Sequence, residues 1–318
     1  MSWVLDFIGR FAPFRHVVSY RLIEKESLHQ CPACQANVQG NSTHFARLDR
    51  YGFPVTTNWC QQCDLLYINP RPTTDVYKRF YDSGDYRRLI SAFSGHEDDH
   101  LLPQARVMQL ASLLKAAVSN RPLSVLNIGG TRADYEVLAG HIAISRYICL
   151  NPGEVEAGEG YEVLPQTLET YSPQGEVFDV VCLFGTLNHL SEPGEAFGKI
   201  SRMMGSESLF VFDFKDPIVK MSRMRQPIGG LQFDHATYPT RRTLGVMMRA
   251  AGLCLQTWHT DNQKLYTFIA VRDSGAADFP DVLAVRESSL IAELRHRARR
   301  LPRRLTLQVL RSVIGVTQ

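Results

Sequence analysis

The 318-residue chain is 44% apolar, enough for one large buried core and a smaller one, and its net charge of +3 is too small to argue for nucleic acid across the whole surface. No apolar run approaches the roughly 20 residues that span a bilayer. Seven cysteines, four of them in two Cys-x-x-Cys pairs, point to metal ligation rather than a disulfide framework.

Residues 1–29 set Trp3, Phe7, Ile8, Phe11 and Phe14 among Arg10, Arg15 and His16. A helix packed on the body of the protein is the preferred reading, ahead of an amphipathic segment on a membrane surface. Asp6 interrupts the apolar start and no small-residue cleavage site follows, so the segment is a poor secretory signal and a cytoplasmic protein is expected.

Cys31-Pro-Ala-Cys34 and Cys60-Gln-Gln-Cys63 are the most specific local signal. Two residues between thiolates let a tight knuckle place both sulfurs on one metal, and two knuckles close a tetrahedral shell. The spacing predicts one structural zinc in a ribbon over residues 30–70, with Tyr51 to Asn58 as strand-forming sequence between the pairs. Four thiolates leave no open coordination position, so that metal is assigned no catalytic role.

Residues 71–120 read as a helical connector. Leu66-Tyr-Ile-Asn-Pro-Arg-Pro72 ends a strand at two prolines, Thr73 to Leu89 carries Val76, Tyr77, Phe80 and Tyr81 as a helix, and Leu101 to Val118 is a second helical pattern. Tyr67, Tyr81 and Tyr86 are candidates to roof a substrate pocket, with core packing equally open for each.

Residues 121–273 read as a Rossmann-like α/β domain. The apolar run Val125 to Ile128 breaks at Gly129-Gly130 and gives way to Ala133, Tyr135, Val137 and Leu138 at helical spacing, which is strand, tight turn, helix. In such a unit the turn lies at the carboxyl end of the strand, where glycines and free helix-terminal N–H groups admit a nucleotide-like cofactor. Further strands are expected at Arg146 to Leu150, Tyr161 to Leu164, Phe178 to Leu183, Leu209 to Phe214, Leu253 to Thr257 and Leu265 to Val271, with helices at Gly194 to Met204 and Arg241 to Ala251. That alternation predicts a mostly parallel sheet covered on both faces. Cys149, Cys182 and Cys254 fall inside strands and read as buried apolar residues.

Taken together these residues resemble class I S-adenosylmethionine-dependent methyltransferases carrying an amino-terminal zinc ribbon, a group common in sugar and polysaccharide biosynthesis. The resemblance covers about residues 30–272. It rests on the Cys pairs followed by Asn69-Pro-Arg-Pro72, the glycine turn, Phe178-Asp-Val-Val181 with Leu187-Asn-His-Leu-Ser-Glu-Pro193, and Thr243-Leu244 ahead of Ala251-Gly-Leu253. It implies a seven-stranded sheet with the last strand antiparallel, S-adenosylmethionine as cofactor, and a sugar nucleotide or glycan intermediate as acceptor. By the same resemblance the cofactor lies over Gly129 and Gly130 beside Asn127, with its ribose near Asn151 and its adenine near Gln166 or Thr167. Phe184 and Gly185 flank the transferred methyl, and His189 matches a histidine that follows the fourth strand in many members.

Several positions depart from the family. Asn127, Asn151 and Asn188 stand where acids are usual, and Thr131 and Ala133 where glycines are. A neutral amide at Asn151 in place of a ribose-binding carboxylate forfeits about 1 kcal/mol, roughly five- to tenfold in affinity. Side chains at Thr131 and Ala133 are expected to narrow the turn. The alternative reading is a binding or scaffold protein on a degenerate methyltransferase fold, without activity or cofactor.

Methyl transfer needs the nucleophile held in line and its proton removed. Gln232-Phe-Asp-His235 resembles the Tyr-His-Glu-His stretch of zinc-containing sugar C-methyltransferases, with Asp234 on the Glu and His235 on the second His, while Gln232 and Phe233 depart. The resemblance makes His235 the general base and Asp234 a residue that orients it or binds a substrate hydroxyl. Those enzymes carry a further carboxyl-terminal domain for which this chain is too short, so O-methylation stays open.

Residues 274–318 form a basic amphipathic tail. Leu290, Leu294, Leu301 and Leu305 recur at helical spacing among Arg295, Arg297, Arg299, Arg300, Arg303 and Arg304, with Pro302 interrupting. A helix packed on a neighbouring subunit of a homodimer is the favoured reading. Peripheral contact with anionic lipid at the inner membrane surface, or with an acidic acceptor, is the other. A nucleic-acid role has only the ribbon and the tail in its favour, with no aromatic stacking platform, and is set aside.

Overall fold

The structure is a computed structural model that describes residues 23–50, 53–82, 107–108, 111–112, 114–118, 121–152, 157–261, 265–272 and 288–299. The expectations for residues 1–22, for Tyr86 and for the tail beyond residue 299 lie outside the described residues.

Five short strands open the chain: β1 (Lys25–Glu26), β2 (Ser42–Ala46), β3 (Thr57–Cys60), β4 (Leu66–Ile68) and β5 (Arg71–Pro72). Helix α1 (Thr74–Asp82) follows. The main domain then runs β6 (Leu123–Ile128), α2 (Arg132–Ala139), β7 (Ile144–Leu150), β8 (Glu162–Leu164), β9 (Phe178–Leu183), α3 (Pro193–Arg202), β10 (Met204–Lys215) and α4 (Pro217–Ser222). Last come β11 (Thr237–Tyr238), α5 (Arg241–Ala250), β12 (Leu253–Asp261), β13 (Leu265–Arg272) and α6 (Ser288–Arg299).

Seven strands form one sheet in the order β12-β13-β10-β9-β6-β7-β8. Strands β8, β7, β6, β9 and β10 pair in parallel, and β13 runs antiparallel to both β10 and β12. The expected seven-stranded α/β sheet with its last strand reversed is therefore present. Strand β6 shows why: Leu126 and Ile128 join the core on one face while Leu123 and Val125 join that on the other, all four buried. Only a central strand covered on both sides accepts so continuous an apolar run. Chain order reverses between β6 and β9, whose residues Val125 to Ile128 and Val180 to Leu183 pair in register. Such a switch point opens a crevice at the carboxyl ends of the strands.

The second sheet, β11-β4-β3-β2, is antiparallel and draws one strand from outside the 30–70 segment. Its edge strand β11 comes from the main domain, pairing Thr237 with Tyr67 and Tyr238 with Leu66. Moreover, Cys31, Cys60, Cys63 and Tyr67 share one apolar core with Phe197, Phe210 and Phe212 of the main domain. The cysteine segment is thus welded to the large sheet. Between the cysteine pairs the strand is Thr57–Cys60 rather than Tyr51 to Asn58, and β2 was not legible from its polar sequence, Ser-Thr-His-Phe-Ala.

Tyr67 does not roof a pocket. It is fully buried, and its hydroxyl pairs with Ser42 Oγ at 2.7 Å. Ile291, Leu294 and Ala298 of α6 are buried among Phe45, Trp59, Met221, Leu231 and Tyr238, so this helix turns its apolar stripe into the chain's own core. Arg295 and Arg299 donate to the His44 carbonyl of β2 and Arg297 to the Met224 carbonyl, so these three guanidinium groups are tied to backbone oxygens of the same chain. Truncating Leu294 to alanine is expected to cost about 2 to 5 kcal/mol, read from denaturant unfolding of the full chain. Among the described residues no helix is long and apolar enough to cross a membrane.

Candidate functional site

The turn after β6 is built for glycine. Gly129 has φ +71°, and a Cβ there would lie 2.1 Å from Thr186 Oγ1. A Cβ on Gly130 would lie 2.2 Å from Asn127 Nδ2. Gly129→Ala is therefore expected to cost about 1 to 3 kcal/mol from backbone strain alone and to push a methyl toward the crevice, as calorimetric unfolding and ligand titration would show. Thr131 caps α2: its hydroxyl accepts from the Asp134 N–H, and the Asp134 carboxylate accepts from the Thr131 N–H at 2.7 Å.

The crevice holds a cavity of about 490 Å³, within the usual size of a small-molecule site. Its wall brings together Gly129, Asn151, Gln166, Thr167, Phe184, Gly185 and His189, which sequence alone places 60 residues apart. Two expected residues stand back from it. Asn127 is fully buried, donating from Nδ2 to the Tyr147 hydroxyl at 2.7 Å, and Gly130 packs against it. Neither Thr131 nor Ala133 lines the cavity, so the expected narrowing of the turn does not occur. Asn151 has a local reason to be an amide: its Nδ2 donates to the Gly130 carbonyl at 2.8 Å, where a carboxylate would face that oxygen without a proton to share.

Sequence reasoning missed the far wall. Helix α1 presents Thr74, Asp75, Tyr77 and Lys78 to the cavity, and the Tyr77 hydroxyl donates to the Phe233 carbonyl at 3.1 Å. Helical spacing marked α1 as amphipathic but not which cavity its inner face would meet.

A second chamber of about 260 Å³ adjoins the first, sharing Gly185 and His189. Asp213, Lys215, Lys220, Gln232, His235 and Tyr238 line it. Asp213 was missed, as were Lys215 and Lys220: near the carboxyl end of β10, the Asp213 Oδ1 accepts from the Gly185 N–H at 2.6 Å and holds the loop after β9. An acid near the end of a strand, beside the crevice at the switch point, was the available signal.

His189, Asp234 and His235 stand in the partition. Asp234 faces the larger cavity, His235 the smaller and His189 both. One donor atom from each lies within 4.8 Å of the others. His189 Nδ1 bonds the Asp234 carbonyl at 3.1 Å, and the two imidazoles meet edge to face with centroids 4.7 Å apart. Asp234 is 2% exposed, and its carboxylate oxygens receive no hydrogen bond from any other residue, so the expected orienting bond from Asp234 to His235 is not made. His235 Nδ1 is likewise buried without a partner. Burial, reinforced by His189, Lys220, Lys215 and Arg50, pushes the His235 imidazole well below its ordinary range, and burial pushes the Asp234 carboxyl up.

The four cysteines of the two pairs converge. Cys31 Sγ lies 3.7 Å from Cys63 Sγ and Cys34 Sγ 3.7 Å from Cys60 Sγ. A tetrahedral ion with bonds of about 2.3 Å sets sulfurs about 3.8 Å apart, so the spacing fits zinc. Both knuckles fold alike: the Gln35 N–H returns to the Cys31 carbonyl and the Asp64 N–H to that of Cys60, with φ +59° and +63° at Gln35 and Asp64. No disulfide joins the cysteines. Cys149 and Cys182 are buried in strands as expected, the Cys149 thiol pushed up to about 12 by burial, while Cys254 is half-buried.

The cluster touches the partition through short links. The Gly194 N–H donates to the Pro32 carbonyl, and a Cβ on Gly194 would lie 2.6 Å from the Ala33 carbonyl oxygen. Arg71 ties Glu26 and Glu192, at 2.6 Å each, to the Ser191 carbonyl, two residues past His189.

No family model matches the sequence, and no curated protein is similar to it. Solved structures similar to the chain include the magnesium protoporphyrin IX methyltransferase of Synechocystis PCC 6803 with bound SAH, at 16% identity and TM-score 0.47, over 63% of this chain and 99% of that one. The 1,6-didemethyltoxoflavin-N1-methyltransferase of Burkholderia thailandensis is similar at 16% identity and TM-score 0.47, over 66% of this chain and 96% of that one. An N-methyltransferase of Bradyrhizobium japonicum WM9 is similar at 15% identity and TM-score 0.41, over 56% of this chain and 100% of that one.

Proposed function

We propose that the chain is an S-adenosylmethionine-dependent methyltransferase with a structural zinc in its four-cysteine cluster, acting on a sugar nucleotide or glycan intermediate. The observation that supports this most is the pair of joined chambers at the sheet's switch point. The larger, about 490 Å³, lies over the glycine turn and suits a nucleoside sulfonium, with Asn151 and Gln166 on its wall. The smaller opens from it past Gly185 and His189 and takes the acceptor.

Lys215 and Lys220 on the smaller chamber favour an anionic acceptor, as the phosphates of a sugar nucleotide provide. Methyl transfer then needs the acceptor atom aligned with the methyl across the partition and its proton removed there. His235, on the acceptor side, is the residue assigned to that proton. The four sulfurs hold zinc with no position left for substrate, so the metal supplies folding energy alone.

Titration calorimetry of the full chain with S-adenosylmethionine and with its demethylated product is the deciding experiment. Saturable binding of both is expected. No heat of binding and an unmoved melting temperature at saturating ligand would leave the scaffold reading in its place.

A further inference from the structure

We propose that His189, Asp234 and His235 bind one divalent first-row transition-metal ion, distinct from the zinc of the cysteine cluster, whose remaining coordination positions face the acceptor chamber. Three observations carry it. Asp234 is a carboxylate 2% exposed to solvent whose oxygens receive no hydrogen bond from any other residue. A buried charge in that condition costs several kcal/mol unless a cation or a proton relieves it. His235 Nδ1, a second buried group without a partner, adjoins it. The third is the fixed tautomer of His189: the Asp234 carbonyl can only accept, so Nδ1 carries the proton and, in the neutral ring, Nε2 carries the lone pair. Metal-bound histidines are commonly oriented in this way, by donating their other N–H to a backbone carbonyl.

A proton shared between Asp234 and His235 would relieve that pair but engage only two of the three side chains, whereas one cation engages all three. One ring nitrogen of each histidine and one carboxylate oxygen lie within 4.8 Å of one another, and ligands at about 2.1 Å from an ion draw such atoms in to about 3 Å, a closure within side-chain rotation. Two imidazoles and one carboxylate suit zinc, manganese, iron, cobalt or nickel, and leave positions open for substrate oxygen.

This inference rests on the two-chamber reading above and changes one role in it. With the ion bound, His235 is a ligand and acceptor activation passes to the metal. An acceptor hydroxyl coordinates the ion, its proton leaves to water, and the alkoxide oxygen bonds to the methyl carbon as the carbon–sulfur bond breaks. The electron pair of that bond stays on sulfur, which departs as the neutral thioether. Lewis-acid lowering of a bound hydroxyl's pKa is the effect such ions supply.

The test uses the full-length protein reconstituted with cobalt(II) and read by metal analysis and absorption. Two ions per chain are expected: one with the strong charge-transfer bands of a tetrathiolate site, one with only weak ligand-field bands. Asp234→Asn and His235→Ala should each lose the second ion while keeping the thiolate bands, which also reports that the fold survives. A single thiolate-bound ion in the wild type, or a second ion retained in both variants, overturns the inference. S-adenosylmethionine titration of the same samples separates the two readings. A second ion without cofactor binding sinks the methyltransferase proposal alone, and cofactor binding with one ion sinks the metal site alone.

Discussion

Replacing His235 by alanine is expected to lower turnover by at least about a hundredfold while leaving S-adenosylmethionine affinity unchanged. The separation follows from position. His235 lines the acceptor chamber and not the larger cavity, so its loss leaves the cofactor's walls intact. Burial keeps its ring neutral near pH 7, the form that takes a proton or binds a metal, so the loss is expected in either role. The fall should appear in kcat under saturating cofactor, with the cofactor's dissociation constant measured separately by calorimetry. Turnover retained within a few-fold would remove His235 from the chemistry.

Cys60→Ser should have the largest effect on the molecule as a whole. Structural four-thiolate zinc contributes on the order of 10 kcal/mol, comparable to the entire stability of a typical domain, about 5 to 15 kcal/mol. Cys60 ends β3, the central strand between β2 and β4, and β4 in turn pairs with β11, which begins two residues after His235. Arg71 and the Pro32 carbonyl fasten the same segment to the loop beyond His189. Losing the metal should therefore loosen the small sheet and the partition together. Hydrogen exchange is expected to rise at 57–68 and 232–238, with turnover lost and the β6 to β10 core still protected. Uniform protection across both sheets in a zinc-free variant would show that the cluster is not a structural support.

Much of the main domain was legible because parallel strands buried on both faces write themselves as continuous apolar runs. Phe178–Leu183 was read with its observed bounds, and the others differed by a few residues at their ends. Strand β2, with two hydroxyl side chains and a histidine among five residues, carries no such run. The site was legible in part. Gly129, marked by its turn, and Phe184, Gly185 and His189, marked by the family resemblance, all line one cavity. Lys215, Lys220 and the inner face of α1 were missed because only packing turns a lysine or a threonine toward a cavity.

The sequence by itself determined the α/β class, the glycine turn and the two Cys-x-x-Cys pairs that converge, since each depends on periodicity or spacing over a few residues. Tertiary structure alone decided that β11 completes the cysteine segment's sheet, that α6 spends its apolar face on the chain's own core, and that a bare carboxylate meets two imidazoles between the chambers. Those are contacts across 40 to 250 residues of chain, set by how surfaces fit once the sheets exist, and no local pattern encodes them.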